Sequence, residues 1–188
     1  MDTPIIVLIV LTSVEVTSPL YGMIFGKKSI KYVQYLTTLS LLVSLVLLIS
    51  STLSLTPQES TVPHLLRNDT LGSFFSLMVI LVTLFVTITS FDYMKGNSNE
   101  SIYYSLLLFT AIGMTMLSFA VDLLVIFVAW ELMSLPTFIL AGYNKQDKLS
   151  NEAAVKFFIL GALSSGILLY GISLMFGITG STNLEIIS

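Results

Sequence analysis

The chain has 188 residues, 55% of them hydrophobic and only 10% charged, with a mean hydropathy of +0.93. A soluble domain carries about 25% charged residues, so this composition excludes a disordered chain and a typical soluble enzyme. Eight basic residues and a net charge of −3 exclude a nucleic-acid binder. With no Cys there is no disulfide, thiolate metal site or Fe–S ligation, and the single His64, in a polar stretch, makes no zinc cluster.

What remains is an all-α polytopic membrane protein, and its charges mark the spans. Lys31 and Glu59 bracket 27 uncharged residues, Asp69 and Asp92 bracket 22, Glu100 and Asp122 bracket 21, and Lys156 and Glu185 bracket 28. Each gap suffices for one helix, because about 20 apolar residues cross a hydrocarbon core of about 30 Å. Backbone in lipid must satisfy its own hydrogen bonds, and LLVSLVLLIS (41–50) lacks the alternation of a barrel strand. Two further spans carry an internal charge, Glu15 in the first and Glu131 in the fifth. About six transmembrane helices are therefore expected, at 5–25, 32–55, 71–91, 102–121, 123–142 and 153–178. The N-terminal run lacks a basic region and reads as a permanent span, not a cleaved signal.

Six alternating spans place Lys27, Lys28, Lys31, Lys95, Lys145 and Lys148 on one side and Arg67 on the other. The bias predicts the N-terminus, the 56–70 loop and the C-terminal tail outside, and the 143–151 loop inside.

A carboxylate at the bilayer centre costs about 2.5–3.5 kcal/mol on insertion scales, so a mid-span acid calls for a reason. Glu131 lies near mid-depth. Desolvation raises a buried carboxyl's pKa and a nearby ammonium lowers it, and a Glu balanced between the two can relay protons. The plainer alternative is a structural glutamate, protonated or hydrogen-bonded. Pro136 loosens the same helix. Glu152 and Lys156, four residues apart, share a helix face and can pair. Lys156 either snorkels to the interface or acts on Glu131, with roughly 10 Å of depth between them. Glu15 reads as a structural or inter-subunit contact, Asp92 and Asp122 as solvated span ends. The run Gly161–Gly166 predicts tight helix packing. Trp130, Tyr103 and Tyr104 read as packing or belt residues, and Met114, Met116 and Met133 as core filling.

From residue 122 the sequence becomes specific. DLLVIFVAWELMSLPTFILAGY, followed by NEAAVKFFILGALSSGILLYGISLMFGITGSTNL, resembles the N-type antiporter-like membrane subunit of complex I, the NADH:quinone oxidoreductase chain N or subunit 2 family, with relatives in archaeal F420H2 dehydrogenases and the photosynthetic NDH complex. The dense match covers about 60 residues; residues 1–121 fit only generally. The resemblance implies a proton-pathway role for Glu131 in WELMSLP, a modulating role for Lys156 in EAAVKFF, and a supporting role for Glu152. It implies three leading helices in 1–101 and the start of a proton-translocating module in 102–188. It also implies a fold of about fourteen helices, with the glutamate's principal lysine partner on a broken seventh helix. This chain ends at Ser188, before that helix, so a split or truncated subunit is expected.

The implied function is electron-transport-coupled proton pumping. NAD, FMN and Fe–S clusters would sit in partner subunits, quinone in the complex, and no cofactor or metal in this chain. The implied partners are other membrane subunits, including the missing C-terminal half, and the lipid bilayer. A prokaryotic plasma membrane is the expected location, with an organellar inner or thylakoid membrane as the alternative. Two rivals stay open: a subunit of a multi-subunit cation/proton antiporter, and a non-catalytic membrane scaffold.

Overall fold

The computed structural model describes residues 3–25, 30–53, 64–95 and 100–187, without the side chains of 21–25, 30 and 31. Six long helices run through them: α1 (Thr3–Phe25), α2 (Ile30–Leu53), α3 (Thr70–Met94), α4 (Glu100–Phe119), α5 (Leu123–Ala141) and α6 (Lys148–Thr179). A final turn, α7 (Leu184–Ile187), closes the described part. All six are long and apolar enough to span a bilayer, and the chain is an integral membrane protein. Helix boundaries match the charge-gap reading to within a few residues, except that α6 begins at Lys148 rather than 153. The reason is local: the Asp147 carboxylate caps Leu149 N, and Asn151 Nδ2 donates to Lys145 O at 2.9 Å, so the polar segment is wound into the helix.

Helix α4 is the axis of the bundle. Half of its span is buried, and it packs against α1, α2, α3 and α5. Val7 and Leu11 of α1, Leu41 and Leu48 of α2 and Ile80 of α3 meet Leu108, Ile112 and Phe119 of α4 in one core. Water-driven burial does not press helices together in lipid; close contact and small residues do. Accordingly Ser18, Ser40, Ser44, Ser73 and Ser76 are buried between helices. At Gly113 a Cβ would lie 2.5 Å from Met133 N, so the α4 and α5 backbones touch there. A Cβ at Gly72 would meet Ser118 O at 2.6 Å, which joins the start of α3 to the end of α4.

Helix α6 differs from the rest. Only 6% of its span is buried, and it packs on α5. A Cβ at Gly161 would strike Phe138, as tight packing requires, and Phe138 stacks edge-on against Phe157 at 4.8 Å. Gly166, however, has nothing near it, so the expected packing stripe is engaged only at its first glycine.

Short backbone pairings knit one end of the bundle. Leu66 bridges Ala120, Asp122 bridges Asn183, and Asn183 Nδ2 donates to His64 O at 2.9 Å. Arg67 reaches Glu185 at 3.0 Å and Asp69 at 3.4 Å. The 64–70 segment, the α4–α5 junction and the 180–187 segment therefore share one end. At the opposite end Tyr143 stacks on Tyr103, at 5.6 Å between ring centres. This is the alternation of ends that six spans require. The Lys27, Lys28 and Lys31 side chains, used in the charge-bias reading, lie outside what is described.

Candidate functional site

Asp122 starts α5. Its Oδ1 accepts from Leu124 N at 2.9 Å and Val125 N at 3.2 Å, and Thr182 Oγ1 donates to its Oδ2 at 2.6 Å. It is buried, at 7% exposure, which corrects the expectation of a solvated span end. Spacing alone missed it because Thr182 is sixty residues away in sequence. Asp92, by contrast, is exposed.

Counting from that cap, Glu131 is the ninth residue of the nineteen in α5, and it is the helix's one ionisable side chain among apolar neighbours. Ala129 is fully buried, Trp130 is 40% exposed, and Glu131 lies between these extremes. The α4–α5 contact at Gly113 falls within two residues of it along α5. Its Oε1 is buried and has no hydrogen-bond partner among the described residues. A buried, unsatisfied carboxyl oxygen costs about 1–3 kcal/mol or more, so the position favours a group that holds a proton or meets a further partner.

The other two candidates meet each other. Lys156 Nζ pairs with Glu152 Oε1, one turn apart, and both side chains are more than half exposed. An exposed pair of this kind contributes about 0–1 kcal/mol. Helix α6 touches α5 through Ala154 at Gly142 and Gly161 at Phe138. Lys156 therefore sits at the level of the last turn of α5, and Glu131 lies seven residues beyond Phe138, about 10 Å deeper at 1.5 Å per residue. Among the described residues the ion pair of Lys156 is with Glu152, not with Glu131.

Glu15 finds its contact inside the chain. Ser105 Oγ of α4 donates to the Glu15 carbonyl at 3.1 Å and lies 3.4 Å from its Oε1. Met114, Met116 and Met133 are half-buried packing residues. No three His, Asp or Glu side chains converge as a metal site among the described residues.

Sequence reasoning used Glu100 only as a boundary marker. In the fold it is 1% exposed, in the first turn of α4. Tyr104, one turn on, is equally buried, and Gln34 Nε2 of α2 donates to its hydroxyl at 3.4 Å. Tyr103 exchanges a hydrogen bond with Ser90 of α3 at 2.9 Å. Just past α5, burial pushes the Tyr143 phenol up from 10.0 to about 12, and the charge of Glu100 adds to the rise. The available signal was the i, i+3, i+4 spacing of Glu100, Tyr103 and Tyr104.

Residues 120–188 match the family described as NADH:quinone oxidoreductase/Mrp antiporter, transmembrane. The F420H2 dehydrogenase subunit N of Methanosarcina mazei is 34% identical over 185 residues, covering 96% of this chain and 38% of that protein. Over about two-fifths of its length, that N-type subunit is similar to nearly the whole of this chain. NADH-quinone oxidoreductase subunit N 1 of Koribacter versatilis is 44% identical over 117 residues, 62% of this chain and 23% of that protein. Among solved structures, respiratory complex I from Thermus thermophilus with bound aureothin superposes with a TM-score of 0.76 at 29% identity, over 95% of this chain and 38% of the matched chain. The archaeal membrane-bound sulfane sulfur reductase shares the fold, with a TM-score of 0.84 at 18% identity. The chain thus spans about two-fifths of the length of the N-type subunit it matches most fully among these.

Proposed function

We propose that this chain forms part of the proton-translocating membrane subunit of a complex I-type oxidoreductase. Glu131 takes and releases the proton, and Glu152 and Lys156 set the local potential. The observation that carries this reading is the Glu131 carboxyl oxygen, buried midway along a spanning helix with no partner among the described residues. A structural acid would be satisfied by its neighbours; one that must change protonation state is better left without a fixed donor. The assignment to residues 1–101 as leading helices and 102–188 as the start of the translocating module goes with it.

Electrons would pass through other subunits, which would carry NAD, FMN and Fe–S clusters, to a quinone. The names of the relatives support this pairing over a cation/proton antiporter, since the ones quoted are subunits N of dehydrogenases or oxidoreductases. The open flank of α6 is where further membrane helices would pack. Bacterial and archaeal relatives support a prokaryotic plasma membrane.

The test is Glu131→Gln in the assembled complex, reconstituted in vesicles with a pH-sensitive dye inside. Coupled proton transfer should fall about 100-fold, within the range lost when a positioned proton-transfer group is removed, while assembly survives. Wild-type acidification by the Gln variant would refute the assignment.

A further inference from the structure

Leu124, Glu131 and Phe138 lie seven residues apart in α5, and seven residues are nearly two turns, so the three share one face. Phe138 fills the space that a Cβ at Gly161 of α6 would take, and it stacks on Phe157 and Phe158. Leu124 borders an apolar hollow whose far wall is Leu169, Ile172 and Phe176 of α6. Both ends of the row face α6, and Glu131 between them faces it too.

The answering row on α6 is Gly161, Ser165, Leu168 and Ile172, spaced four, three and four residues apart. Gly161 meets Phe138, and Ile172, the buried residue of α6, lies across the hollow from Leu124. Ser165 is half-buried where Ala162, Leu163 and Ser164 are exposed, as a residue turned to α5 must be. The two helices run antiparallel, so Glu131, halfway along its row, comes level with the middle of the other, at Ser165 and Leu168. Ser165 carries the one polar side chain in that row.

Both polar groups are uncommitted. Glu131 Oε1 is buried and unpartnered among the described residues. Ser134, one turn from Glu131, already donates to Trp130 O at 2.7 Å, and Ser164 donates to Leu160 O at 2.9 Å. The Ser165 hydroxyl, by contrast, bonds to nothing among the described residues. A carboxyl that changes charge also changes its hydrogen bonding: ionised it only accepts, protonated it donates one bond. An ammonium, guanidinium or backbone N–H only donates, and so favours the ionised form. A hydroxyl has one donor and two acceptor sites, and serves either form by turning about its Cβ–Oγ bond.

We propose that Ser165 is the hydrogen-bond partner of Glu131 during turnover, donating to the carboxylate when it is ionised and accepting from it when it is protonated. The bond is made when the glutamate side chain turns along the α5–α6 seam, directly or through one water. The proposal rests on the proton-translocation reading above and adds the residue that steadies both states of the carboxyl. Ser165 keeps its own proton throughout, so no bond of the serine forms or breaks, and it acts as a positioning residue.

The experiment compares Ser165→Ala, Ser165→Thr and Glu131→Gln in the assembled complex, reading coupled proton transfer and the infrared C=O band of the protonated carboxyl. Ser165→Ala should slow transfer about tenfold, as loss of a hydrogen bond to a charged group does. It should also move the band to higher wavenumber, because a carboxyl freed of a hydrogen bond has a stiffer C=O. Ser165→Thr keeps the hydroxyl and should restore both in part. Slower transfer with an unmoved band would make Ser165 a packing residue and overturn the proposal, and so would wild-type transfer in Ser165→Ala. Loss of the assembled complex in Ser165→Ala would likewise make the residue structural. If Glu131→Gln abolishes transfer and the band while Ser165→Ala behaves as wild type, only this proposal fails. If Glu131→Gln behaves as wild type, the translocation reading fails with it.

Discussion

Glu131 and Asp122 show two ways of keeping a carboxylate in an apolar helix. Asp122 is fully engaged by two backbone N–H groups and the Thr182 hydroxyl, and that binds it to structure. Asp122→Ala removes a cap and a side-chain hydrogen bond, and should lower stability by about 2 kcal/mol in a detergent-unfolding titration. Thr182→Val should cost about 1 kcal/mol. Tyr143 offers a pH test. Its phenol ionises near pH 12 in the folded chain against 10.0 for a free phenol. The stability linked to that group is complete below pH 10, and is lost as pH rises toward 12. An ultraviolet difference titration against Tyr143→Phe should show the step near pH 12 smaller by one phenol in the variant. A step near pH 10 for Tyr143 would mean that the phenol is solvated.

Among the elements, α4 and α5 form the tightest joint and α6 the loosest. Gly113→Leu would drive a side chain into Met133 N and Ala129 O, so it should destabilise the bundle by about 1–3 kcal/mol. Gly166→Leu, with nothing within 4 Å, should leave the unfolding midpoint unchanged. The six spans and the Glu152–Lys156 pair were legible in the sequence, because charge gaps and i, i+4 spacing are local properties. The burial of Glu100 and Asp122 was not. It depends on Tyr143 and Thr182, which the fold brings in from forty and sixty residues away. Of the glycine stripe of α6, Gly161 packs on Phe138 of α5, and Gly166 lies on the flank that α5 does not cover.

At the scale of the whole molecule, the two ends of the bundle are built differently. One is laced by backbone pairings and by Arg67, the other carries the lysine-rich loop and the phenol cluster. The charge bias predicts the lysine end inside. The chain contains no Cys, so Asn68→Cys and Gln146→Cys each give a single label site. An impermeant maleimide added outside intact cells should react at 68 and spare 146; the reverse would invert the topology. The central claim is that the carboxyl at 131 changes its protonation state inside the membrane during turnover. Infrared difference spectroscopy of the assembled complex, triggered by substrate reduction, reads that event directly. A carboxyl C=O stretching band should appear on turnover and vanish in Glu131→Gln; the same band persisting in the variant would contradict the account.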